Sequence, residues 1–503
     1  MNQARSPGWP PNWNLDGESK LWQYNLHYFE WLWALDYADG QRAVVGWMDA
    51  CSPLDAPAGW EPYPISLRVV NWCAFFWHRH RARLDREPEF QQRLWTSVYQ
   101  QMESLRRRLE YHLLGNHLFE NAAALAFAGC CFAGRASAQW LEQGRLILRR
   151  ELTEQMLPDG MHFERSSMYH SRLTYLLLLL RATGNEALRD LVQPYLAKAI
   201  EALQALCHPD GRIALFNDSA FGIANEPPQL LQYAKEIGLA AASAPEDGPW
   251  SLPAAGYYGY RKHADFYLVC DAGPVGPDYI PGHAHGDIFS FELSCRDHRI
   301  VVDSGVYDYV PSDVRQYCRS TRAHNTVTLN GQDQCEFWGA FRVSRRAHLR
   351  DIAWLPEPPG FRLQGWHDGY QRLPGRPRHA RLFAWHRDGV LMVRDEIDSA
   401  ARTEASSRIH LHPDCQVASI QGGSAELSTQ AGPFAIRFAG PGALRLEDSI
   451  YCPEFGRRIP NQALAWTAQG RQLRFGFCLA PGRLISSFDL EAGATINRQT
   501  YPW

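Results

Sequence analysis

Residues 240–255 read AAASAPEDGPWSLPAA, and this stretch separates two parts of the chain that differ in hydrophobic periodicity. Its content of Ala, Ser, Pro and Gly is typical of a connection between domains. A chain of 503 residues is also too long for one ordinary hydrophobic core. We therefore predict two domains, at residues 1–245 and 250–503.

On the N-terminal side of this connection, apolar residues recur at helical spacing from about residue 21 to residue 239. Two Pro-Asp-Gly turns, at residues 158–160 and 209–211, lie 51 residues apart, and each follows a helical run. Such a repeat is typical of stacked helical hairpins, so the first half is predicted to be a helical array. The clearest helical runs are residues 90–113, 136–152, 169–182 and 186–206.

On the C-terminal side, the pattern changes to short runs that have a period of two or many β-branched residues, as strands do. Residues 387–389 (Arg-Asp-Gly) and 469–470 (Gln-Gly) lie between apolar runs and are predicted to be hairpin turns. The second half is therefore predicted to be an antiparallel β-sandwich, which gives an α+β multidomain chain. The predicted strands are residues 266–272, 289–293, 299–303, 325–329, 391–397, 434–438 and 473–479.

Composition describes a folded protein with no general affinity for polyanions. Hydrophobic residues make up 45% of the chain, charged residues 21%, and the formal net charge is −3, so we expect no nucleic-acid partner. The longest uncharged apolar stretch, residues 121–134, is shorter than the roughly 18 residues of a membrane span. The twelve cysteines form no CxxC pair, which suits reduced thiols. The first twenty residues have no apolar signal core, so we expect a cytoplasmic protein, with the periplasm as the alternative.

Three clusters of polar residues carry side chains that could perform catalysis. The first is the run Asn-His-Leu-Phe-Glu-Asn at residues 116–121, at the start of an apolar helical segment. His117 and Glu120 are three residues apart and share one helix face, where the carboxylate could hold the imidazole tautomer and raise its basicity. The alternative is a polar helix start in which Asn116 caps exposed backbone amides.

The second cluster, residues 164–170, reads Glu-Arg-Ser-Ser-Met-Tyr-His and precedes a leucine-rich helix. Tyr169 is a candidate general base, but a tyrosine with a pKa of about 10 needs cations or hydrogen bonds that stabilise its phenolate. Arg165, His170 or the distant His117 could supply them. The alternative is a tyrosine whose ring packs in the core and whose hydroxyl bonds a backbone carbonyl.

The third cluster combines Gly-His-Ala-His-Gly-Asp at residues 282–287 with Asp303 and with His324. Imidazole and carboxylate groups are ligands that suit zinc. Since residues two apart on a strand point to the same side, His283 and His285 could both bind a metal ion, or one could bind it while the other faces the substrate. The alternative is three unrelated polar loops. Further candidates are Asn25, His27, Tyr28, residues 61–68, Asn217 and Asp218.

Together these clusters resemble those of the heparinase II/III-like polysaccharide lyases and of the related alginate and oligoalginate lyases. The resemblance covers residues 116–327 and rests on Asn-His-x-x-Glu, a tyrosine about fifty residues later, Gly-His-x-His-x-Asp, Asp-Ser-Gly and Ala-His-Asn-Thr. It implies an incomplete α/α toroid followed by an antiparallel β-sandwich, with the active site in the cleft between them. It also implies a β-elimination that removes the C5 proton of a uronic acid, expels the O4-linked sugar and leaves a 4,5-unsaturated uronate.

The resemblance also implies roles for individual residues. Asn116 and His283 would face the substrate carboxylate and stabilise the charge that develops as the C5 proton leaves. Tyr169, as a phenolate, would take that proton and then donate one to the leaving oxygen. His117 would assist as a base or as a partner of the phenolate, and Glu120 would orient it. Candidates for a separate acid, since some relatives use two tyrosines, are Tyr307, Tyr309 and Tyr317.

By the same resemblance, His285, Asp303 and His324 are the ligands of a structural zinc ion, with Asn325 beside them. The ion would hold the loop that carries His283 and would not attack the substrate. The expected partner is an acidic polysaccharide or oligosaccharide. The helical half, at about 240 residues, is shorter than in many relatives, and the missing export signal suggests work on a capsule or exopolysaccharide. Candidates to bind carboxylate or sulfate groups are Arg68, Arg165, Arg319 and Arg322.

Two other functions fit the same sequence. An α/α toroid also carries glycoside hydrolases, which use paired carboxylates. A noncatalytic protein that binds glycans or assists assembly could share the fold as well. The candidate carboxylates of a hydrolase are Glu61, Glu120, Glu164, Asp218 and Asp287.

Overall fold

The computed structural model describes residues 2, 5–9, 11–15, 17–53, 57–239, 245–263, 265–357, 360–482 and 484–503. The last helix of the first half ends at Glu236, and the first strand begins at Gly248. The change from helices to strands therefore occurs where the hydrophobic periodicity predicts it. Residues 240–244 of the predicted connection lie outside the described residues, and the division into 1–245 and 250–503 stays a prediction.

The first half is an array of antiparallel helices whose apolar faces share one core. Local signals begin several of them: Ser19, Asp36, Ser166 and Asn185 each accept a backbone N–H at a helix start. No helix of the described residues is both long and apolar enough to cross a membrane. The helices are α1 Lys20–Tyr28, α2 Tyr37–Ala50, α3 Pro62–Trp72, α4 Arg81–Leu84, α5 Pro88–Arg107, α6 Gly115–Cys131, α7 Arg135–Gln155, α8 Ser167–Ala182, α9 Glu186–Ala205 and α10 Pro227–Glu236, and a π-helical segment, Cys73–Arg79, follows α3.

The two Pro-Asp-Gly turns occupy equivalent positions in this array, as the repeat predicts. Each closes a small loop after a long helix, with one β-bridge between Met156 and His162 and another between Cys207 and Ile213. The glycine of each turn has a positive φ, and a Cβ at Gly160 would lie 2.3 Å from the backbone of Lys198. The spacing of 51 residues therefore marks a structural repeat of helical hairpins.

The second half consists of antiparallel sheets. One has five strands in the order β1 to β5, and a second has ten strands, in which two very long strands, β12 and β17, pair with each other. A short helix, α11 Asp313–Arg319, follows β5. The strands are β1 Gly248–Leu252, β2 Tyr257–Lys262, β3 Phe266–Asp271, β4 Phe291–Cys295, β5 His298–Val301, β6 Val327–Leu329, β7 Glu336–Trp338, β8 Arg342–Ser344, β9 Leu349–Glu357, β10 Gly360–His367, β11 Arg378–His386, β12 Val390–His410, β13 Gln416–Gln421, β14 Ser424–Thr429, β15 Gly432–Ala439, β16 Ala443–Glu454, β17 Arg457–Pro481, β18 Ser487–Asp489, β19 Gly493–Ile496 and β20 Gln499–Tyr501.

The five-stranded sheet lies between the ten-stranded sheet and the helices, so both of its faces are buried. On β3, Leu268 points into the core of the β-sandwich, while its neighbours Tyr267 and Val269 pack against Ala202 and Leu206 at the end of α9. This double burial explains why β3 reads as a continuous apolar run and not as an alternating one. The predicted α+β arrangement of helices followed by a β-sandwich is confirmed, and the middle sheet fixes the two halves against each other.

One of the two predicted hairpin turns is wrong. Residues 387–389 do connect β11 to β12, with Gly389 at φ +81°. Residues 469–470, in contrast, lie inside β17, where Gly470 pairs with Thr403 of β12 at a break in register. A Gln-Gly pair is a local turn signal. Here, however, the residues before and after the pair both find partners along the neighbouring strand β12. Pairing with a distant strand therefore overrides the local preference.

Candidate active site

Asn116 lies in the first turn of α6, which begins directly after a tight change of chain direction. Leu114 and Gly115 both have positive φ, and a Cβ at Gly115 would lie 2.5 Å from Oε1 of Glu164. The backbone N–H of Asn116 donates to Glu164 at 3.1 Å, and its side-chain Nδ2 donates to both oxygens of that carboxylate at 3.1 and 3.0 Å. The cap position belongs to Leu114, so the alternative in which Asn116 caps exposed amides is wrong.

His117, the next residue, is held by Glu110 and not by Glu120. Its Nδ1 lies 3.1 Å from Oε1 of Glu110, whose other oxygen accepts a hydrogen bond of 3.0 Å from Asn121. Glu120 instead forms two hydrogen bonds, of 2.9 and 2.7 Å, with Arg172 of α8. The predicted role of Glu120 in orienting His117 is therefore wrong, because the buried carboxylate binds the planar guanidinium group, which matches it with two donors.

Glu110 gave no signal in the sequence, because it precedes His117 by seven residues and lies outside the helix. The left-handed turn at Leu114 and Gly115 brings the chain back so that the two side chains meet. Glu110 is 4% exposed, whereas the His117 side chain is 33% exposed and its ring lies 4.5 Å from that of Tyr63. Sequence reasoning could have found Glu110 only by recognising that turn.

Tyr169 lies in the first turn of α8, where Ser166 caps the helix by accepting the N–H of Tyr169 at 3.3 Å. The ring centroids of Tyr169 and His283 are 4.2 Å apart, and the hydroxyl of Tyr169 lies 3.1 Å from that of Tyr309. Of the three tyrosines that the sequence leaves open as a second acid, Tyr309 is thus the one that contacts Tyr169. The hydroxyl of Tyr317 bonds Ser449 instead.

Two of the groups predicted to stabilise a Tyr169 phenolate are engaged elsewhere. Arg165 donates to the backbone carbonyls of Phe163 and Ala255, and His170 bonds the carbonyl of Ala199. Burial, with a smaller contribution from Tyr309, raises the pKa of Tyr169 well above its ordinary value of 10. Burial therefore favours the neutral phenol of Tyr169 over the phenolate.

His283 lies between two buried carboxylates. Its Nδ1 is 2.9 Å from Asp218, and its Nε2 is 3.6 Å from Glu164, which also binds Asn116. The side chain is 16% exposed, so part of the ring is open to solvent. Burial opposes ionisation of Glu164, but His283 and its other polar neighbours hold the pKa of that carboxyl below its usual range. Glu164 therefore joins Asn116 to His283 across the two halves of the chain.

Asp218 anchors this cluster. It accepts hydrogen bonds from His283, from His285 at 2.8 Å, and from both terminal nitrogens of Arg315, one of them at 2.8 Å. Burial of Asp218 disfavours its charge, but Arg315 and the two histidines hold its pKa well below the usual range. The sequence offered Asp218 only as a minor candidate, and nothing near Arg315 in the sequence signals its role.

The predicted zinc ligands lie together behind His283 and are fully buried. Nδ1 of His324 is 2.7 Å from Asp303, and the rings of His324 and His285 are 5.3 Å apart. Nδ1 of His285 and Nε2 of His324 are buried and have no hydrogen-bond partner within the described residues. Asn325 bonds the backbone carbonyls of Phe291 and Val302. The donor types and the two unpaired nitrogens fit a zinc ion.

In this conformation, however, His324 and Asp303 contact each other directly. Throughout the described residues, no group of three or more His, Cys, Asp or Glu side chains is arranged so that it could hold a metal ion. The ligand set of His285, Asp303 and His324 therefore stays a prediction, and the three side chains would have to adjust around the ion.

One cavity of the described residues lies away from this cluster. It has a volume of about 400 Å³ and is lined by Arg212, Arg299, Tyr451 and the turn at His412, with no candidate catalytic residue among its walls. Arg299 is paired with Asp210 and Glu292. Because the charged groups there are largely paired, we assign the chemistry to the cleft at Tyr169 and His283.

Comparisons with known proteins agree with this architecture. The family model "Heparinase II/III N-terminus" matches residues 23–236, and "Heparinase II/III-like, C-terminal" matches residues 244–493. A solved structure of heparinase III superposes with a TM-score of 0.79 at 18% identity, covering 99% of this chain and 85% of that one. The heparan sulfate lyase HepC of Pedobacter heparinus superposes with a TM-score of 0.65 at 20% identity, covering 96% and 80%. At these identities the superpositions show the fold.

Three curated relatives are similar in sequence. The heparin-sulfate lyase of Pedobacter heparinus is 28% identical over 313 residues, which span 54% of this chain and 44% of that enzyme. The heparin-sulfate lyase of Bacteroides thetaiotaomicron is 26% identical over 264 residues, spanning 44% and 38%. FtsZ-localized protein C of Caulobacter vibrioides is 25% identical over 459 residues, spanning 81% and 72%. The chain thus matches less than half the length of the two lyases, and most of the third relative.

Proposed function

Because the chain belongs to the heparinase II/III-like family, we propose that it is a polysaccharide lyase that cleaves a uronic-acid-containing glycan by β-elimination. The observation that carries the proposal is the meeting of Tyr169 with His283 and Tyr309 at the junction of the two halves. A tyrosine hydroxyl there has an imidazole on one side and a second phenol within hydrogen-bond distance. These groups can remove one proton and deliver another.

The first step is to weaken the C5–H bond of the uronate. The proton becomes removable when donors stabilise the negative charge that moves onto the adjacent carboxylate. His283 suits this task because Asp218 holds its Nδ1, while its Nε2, at 3.6 Å from Glu164, is beyond hydrogen-bond distance of that carboxylate and could donate to a substrate. Asn116 also binds Glu164. In the proposed mechanism it would give one of its amide hydrogens to the substrate carboxylate.

Proton transfer then falls to the tyrosines. Tyr169 as phenolate would accept the C5 proton while the C4–O4 bond breaks, the C4=C5 bond forms and a proton passes to the departing O4. The proton on O4 can come from Tyr169 itself or from Tyr309, whose hydroxyl is 3.1 Å away. His117, which Glu110 holds by Nδ1, would assist from the side of Tyr63.

A glycoside hydrolase is a weaker explanation. It needs one carboxylic acid with a raised pKa and a second carboxylate on the other side of the bond. The two carboxylates next to His283, Glu164 and Asp218, have lowered pKa values and are bound to Asn116 and Arg315. Neither is suited to donate a proton to a leaving group.

A noncatalytic function is favoured by one observation, the similarity to FtsZ-localized protein C, which is named for where it lies and not for a reaction. In that case Tyr169 and His283 would serve to bind a glycan. Substitution of Tyr169 separates the two functions, because the phenol oxygen matters much more to proton transfer than to binding.

We further propose that His285, Asp303 and His324 hold a zinc ion that fixes the loop of His283, and that the ion takes no part in the elimination. The support is chemical: two imidazoles with buried, unpaired nitrogens next to a carboxylate. Metal analysis of protein purified without chelator tests the proposal, with about one zinc per chain as the expected result. Protein that is active and free of zinc would contradict it.

The substrate is proposed to be weakly sulfated or unsulfated, such as a bacterial capsule or exopolysaccharide. Of the arginines that could bind sulfate, Arg68, Arg165 and Arg319 are buried and bonded to internal acceptors, and the exposed Arg322 lies 3.5 Å from Glu447. Among the described residues, these four arginines therefore do not supply the dense positive charge that a highly sulfated chain would need. A cytoplasmic location likewise stays a prediction.

The test is an ultraviolet absorbance screen against purified uronic-acid polymers, including capsules, with mass spectrometry of the products. We expect fragments that carry a conjugated double bond and have gained no water. The Tyr169→Phe variant should lose at least about a thousand-fold in kcat and still bind the polymer, since it lacks only the proton-transferring oxygen. Products that have gained water would disprove the lyase.

A further inference from the structure

The hairpin of β7 and β8 carries two aromatic side chains that are largely exposed. Trp338 is 60% exposed and Phe341 is 43% exposed. In a strand, consecutive side chains point to opposite faces, and here Phe337 packs inward against Arg319 while Trp338 points outward. Burial of the apolar face of a tryptophan ring is favourable. A ligand that covers the exposed ring of Trp338 would therefore gain binding free energy.

The tip of this hairpin is continuous with the candidate active site. The ring of Phe341 lies 6.0 Å from that of His283, edge to face, and 5.2 Å from that of Tyr309. Trp338 has no ring contact with His283 among the described residues, so it lies further along the hairpin from the reacting groups. A sugar chain bound at His283 would meet Phe341 first and Trp338 next.

The hairpin tip is also firmly held. Arg315 donates to the carbonyl of Ala340 at 3.1 and 2.8 Å, and Gln316 donates to that of Gly339 at 2.8 Å. Arg319 adds a hydrogen bond of 3.2 Å to the same Gly339 carbonyl. Since Arg315 also binds Asp218, one guanidinium connects the tip to the partner of His283. A fixed tip presents its aromatic rings with little entropy left to lose on binding.

A free positive charge lies beside the exposed tryptophan. Arg342 pairs with Trp338 across the hairpin, and its guanidinium lies 6.0 Å from the tryptophan ring. No carboxylate of the described residues is within ion-pair distance of Arg342. The neighbouring Arg345 and Arg346, in contrast, are near carboxylates, at 3.5 and 3.4 Å respectively. An aromatic face next to an unpaired guanidinium matches a pyranose ring that carries an anionic group.

We propose that the β7–β8 hairpin is a binding subsite for acidic polysaccharide, in which Phe341 contacts the sugar next to the scissile bond and Trp338 with Arg342 binds a sugar further along. The inference rests on the proposed lyase function and adds where the chain lies. It makes the hairpin a determinant of substrate length, because a short oligosaccharide would not reach Trp338.

The test compares Trp338→Ala with a matched control, Trp9→Ala. Trp9 is 45% exposed and has a guanidinium, that of Arg42, 5.9 Å from its ring, but it has no ring contact with the candidate active site in the described part of the chain. We expect Trp338→Ala to raise KM for the polymer about ten-fold, with a smaller change in kcat and none in Tm. Trp9→Ala should leave KM unchanged. For the shortest cleaved oligosaccharide, Trp338→Ala should also match the parent.

Arg342→Gln tests the charge. It should raise KM for the polymer several-fold at low salt, and the difference from the parent should shrink as ionic strength rises. Equal KM values for the parent, Trp338→Ala and Arg342→Gln would overturn the subsite. Equal increases with Trp9→Ala and Trp338→Ala would overturn it as well, because they would show a general effect of losing an exposed tryptophan.

Binding measurements on the Tyr169→Phe protein keep the two proposals distinguishable. If acidic polymers bind but the parent protein never yields an unsaturated product, the lyase proposal is disproved. The subsite proposal is then judged by whether Trp338→Ala weakens that binding. If the polymer is cleaved but Trp338→Ala neither binds more weakly nor raises KM, only the subsite is disproved. If no acidic polysaccharide binds at all, both are disproved.

Discussion

His283 and His285 are two residues apart and bond the same carboxylate, that of Asp218, yet their environments differ. The His283 side chain is 16% exposed and lies against the ring of Tyr169. His285 is fully buried, and its ring lies 5.3 Å from that of His324. The short Gly-His-Ala-His-Gly segment therefore supplies one histidine to the cleft and one to the interior.

This difference shows that an HxH motif does not determine what each histidine does. Both side chains reach Asp218, as their spacing of two residues permits. Their roles then depend on what surrounds the rest of each ring, which is Tyr169, Glu164 and some solvent for His283 but the buried His324 and Asp303 pair for His285. We therefore expect His283 to act on the substrate and His285 to act on the stability of the loop.

The largest expected effects come from removing each histidine in turn. His283→Ala should lower kcat about a hundred- to a thousand-fold and change Tm little, because the side chain is 16% exposed and, in the proposed mechanism, stabilises charge only in the transition state. His285→Ala should lower the free energy of unfolding by about 2–4 kcal/mol, since it leaves a buried cavity and removes a hydrogen bond to Asp218. The measurements are kcat by product absorbance and Tm by thermal denaturation.

The two variants control for each other. If zinc is bound, His285→Ala should also lose it, while His283→Ala should keep it. Two variants that lose activity and stability to the same extent would contradict the division of roles.

Asp218 is where the two environments meet, so its substitution should affect both. Asp218→Asn leaves the guanidinium of Arg315 buried without a negative partner, which should cost about 3–5 kcal/mol of stability. It should also lower kcat about ten- to a hundred-fold, because His283 loses the anion that fixes its Nδ1. The measurements are urea denaturation and product absorbance.

The control is the double variant Asp218→Asn with Arg315→Gln, which removes both charges. It should be more stable than Asp218→Asn alone, because no buried charge is left unpaired. A double variant whose losses are the plain sum of those of the single variants would show that the pair contributes nothing as a pair.

Much of the fold could be predicted from the sequence, because its signals are local. The change of hydrophobic period near residue 245 separates helices from strands, and the Pro-Asp-Gly repeat marks equivalent turns of the helical array. The failure at residues 469–470 is informative, since it lies in β17, whose partner β12 is more than sixty positions away in sequence. Local turn signals cannot reveal such pairing.

The candidate site divides in the same way. Asn116, Tyr169 and His283 could be picked out because each belongs to a short motif. Their partners could not, because these contacts join distant segments: Asp218 and Arg315 are 97 positions apart. The error over Glu120 has the same cause, since its partner Arg172 is 52 positions away. Short spacing predicts which residues share a helix face, but a buried charge binds whichever opposite charge the fold brings to it.

The pH dependence of activity distinguishes a tyrosine base from a histidine base in the cleft. Since burial raises the pKa of Tyr169 well above 10, the phenolate is a minor form that increases as pH rises. The value of kcat/KM reports ionisation in the free enzyme, so it should rise about ten-fold per pH unit up to about pH 9 without a plateau. A plateau that begins below about pH 8 would contradict Tyr169 and indicate a histidine as the base.

The smallest expected effect tests the contact between Glu110 and His117 in the helical half. Glu110→Gln keeps an oxygen that can accept the hydrogen of His117 Nδ1, but it removes the negative charge beside the ring. We expect kcat to fall about three- to ten-fold, with a small change in Tm. The kcat of Glu110→Ala should be lower still, because Asn121 also loses its hydrogen-bond acceptor. Glu103→Gln is a control on a partly buried glutamate of the same half, whose partners are Arg106 and Trp140, and it should leave kcat unchanged. If Glu110→Gln and Glu103→Gln change kcat to the same extent, the contact between Glu110 and His117 supports only the fold and has no part in catalysis.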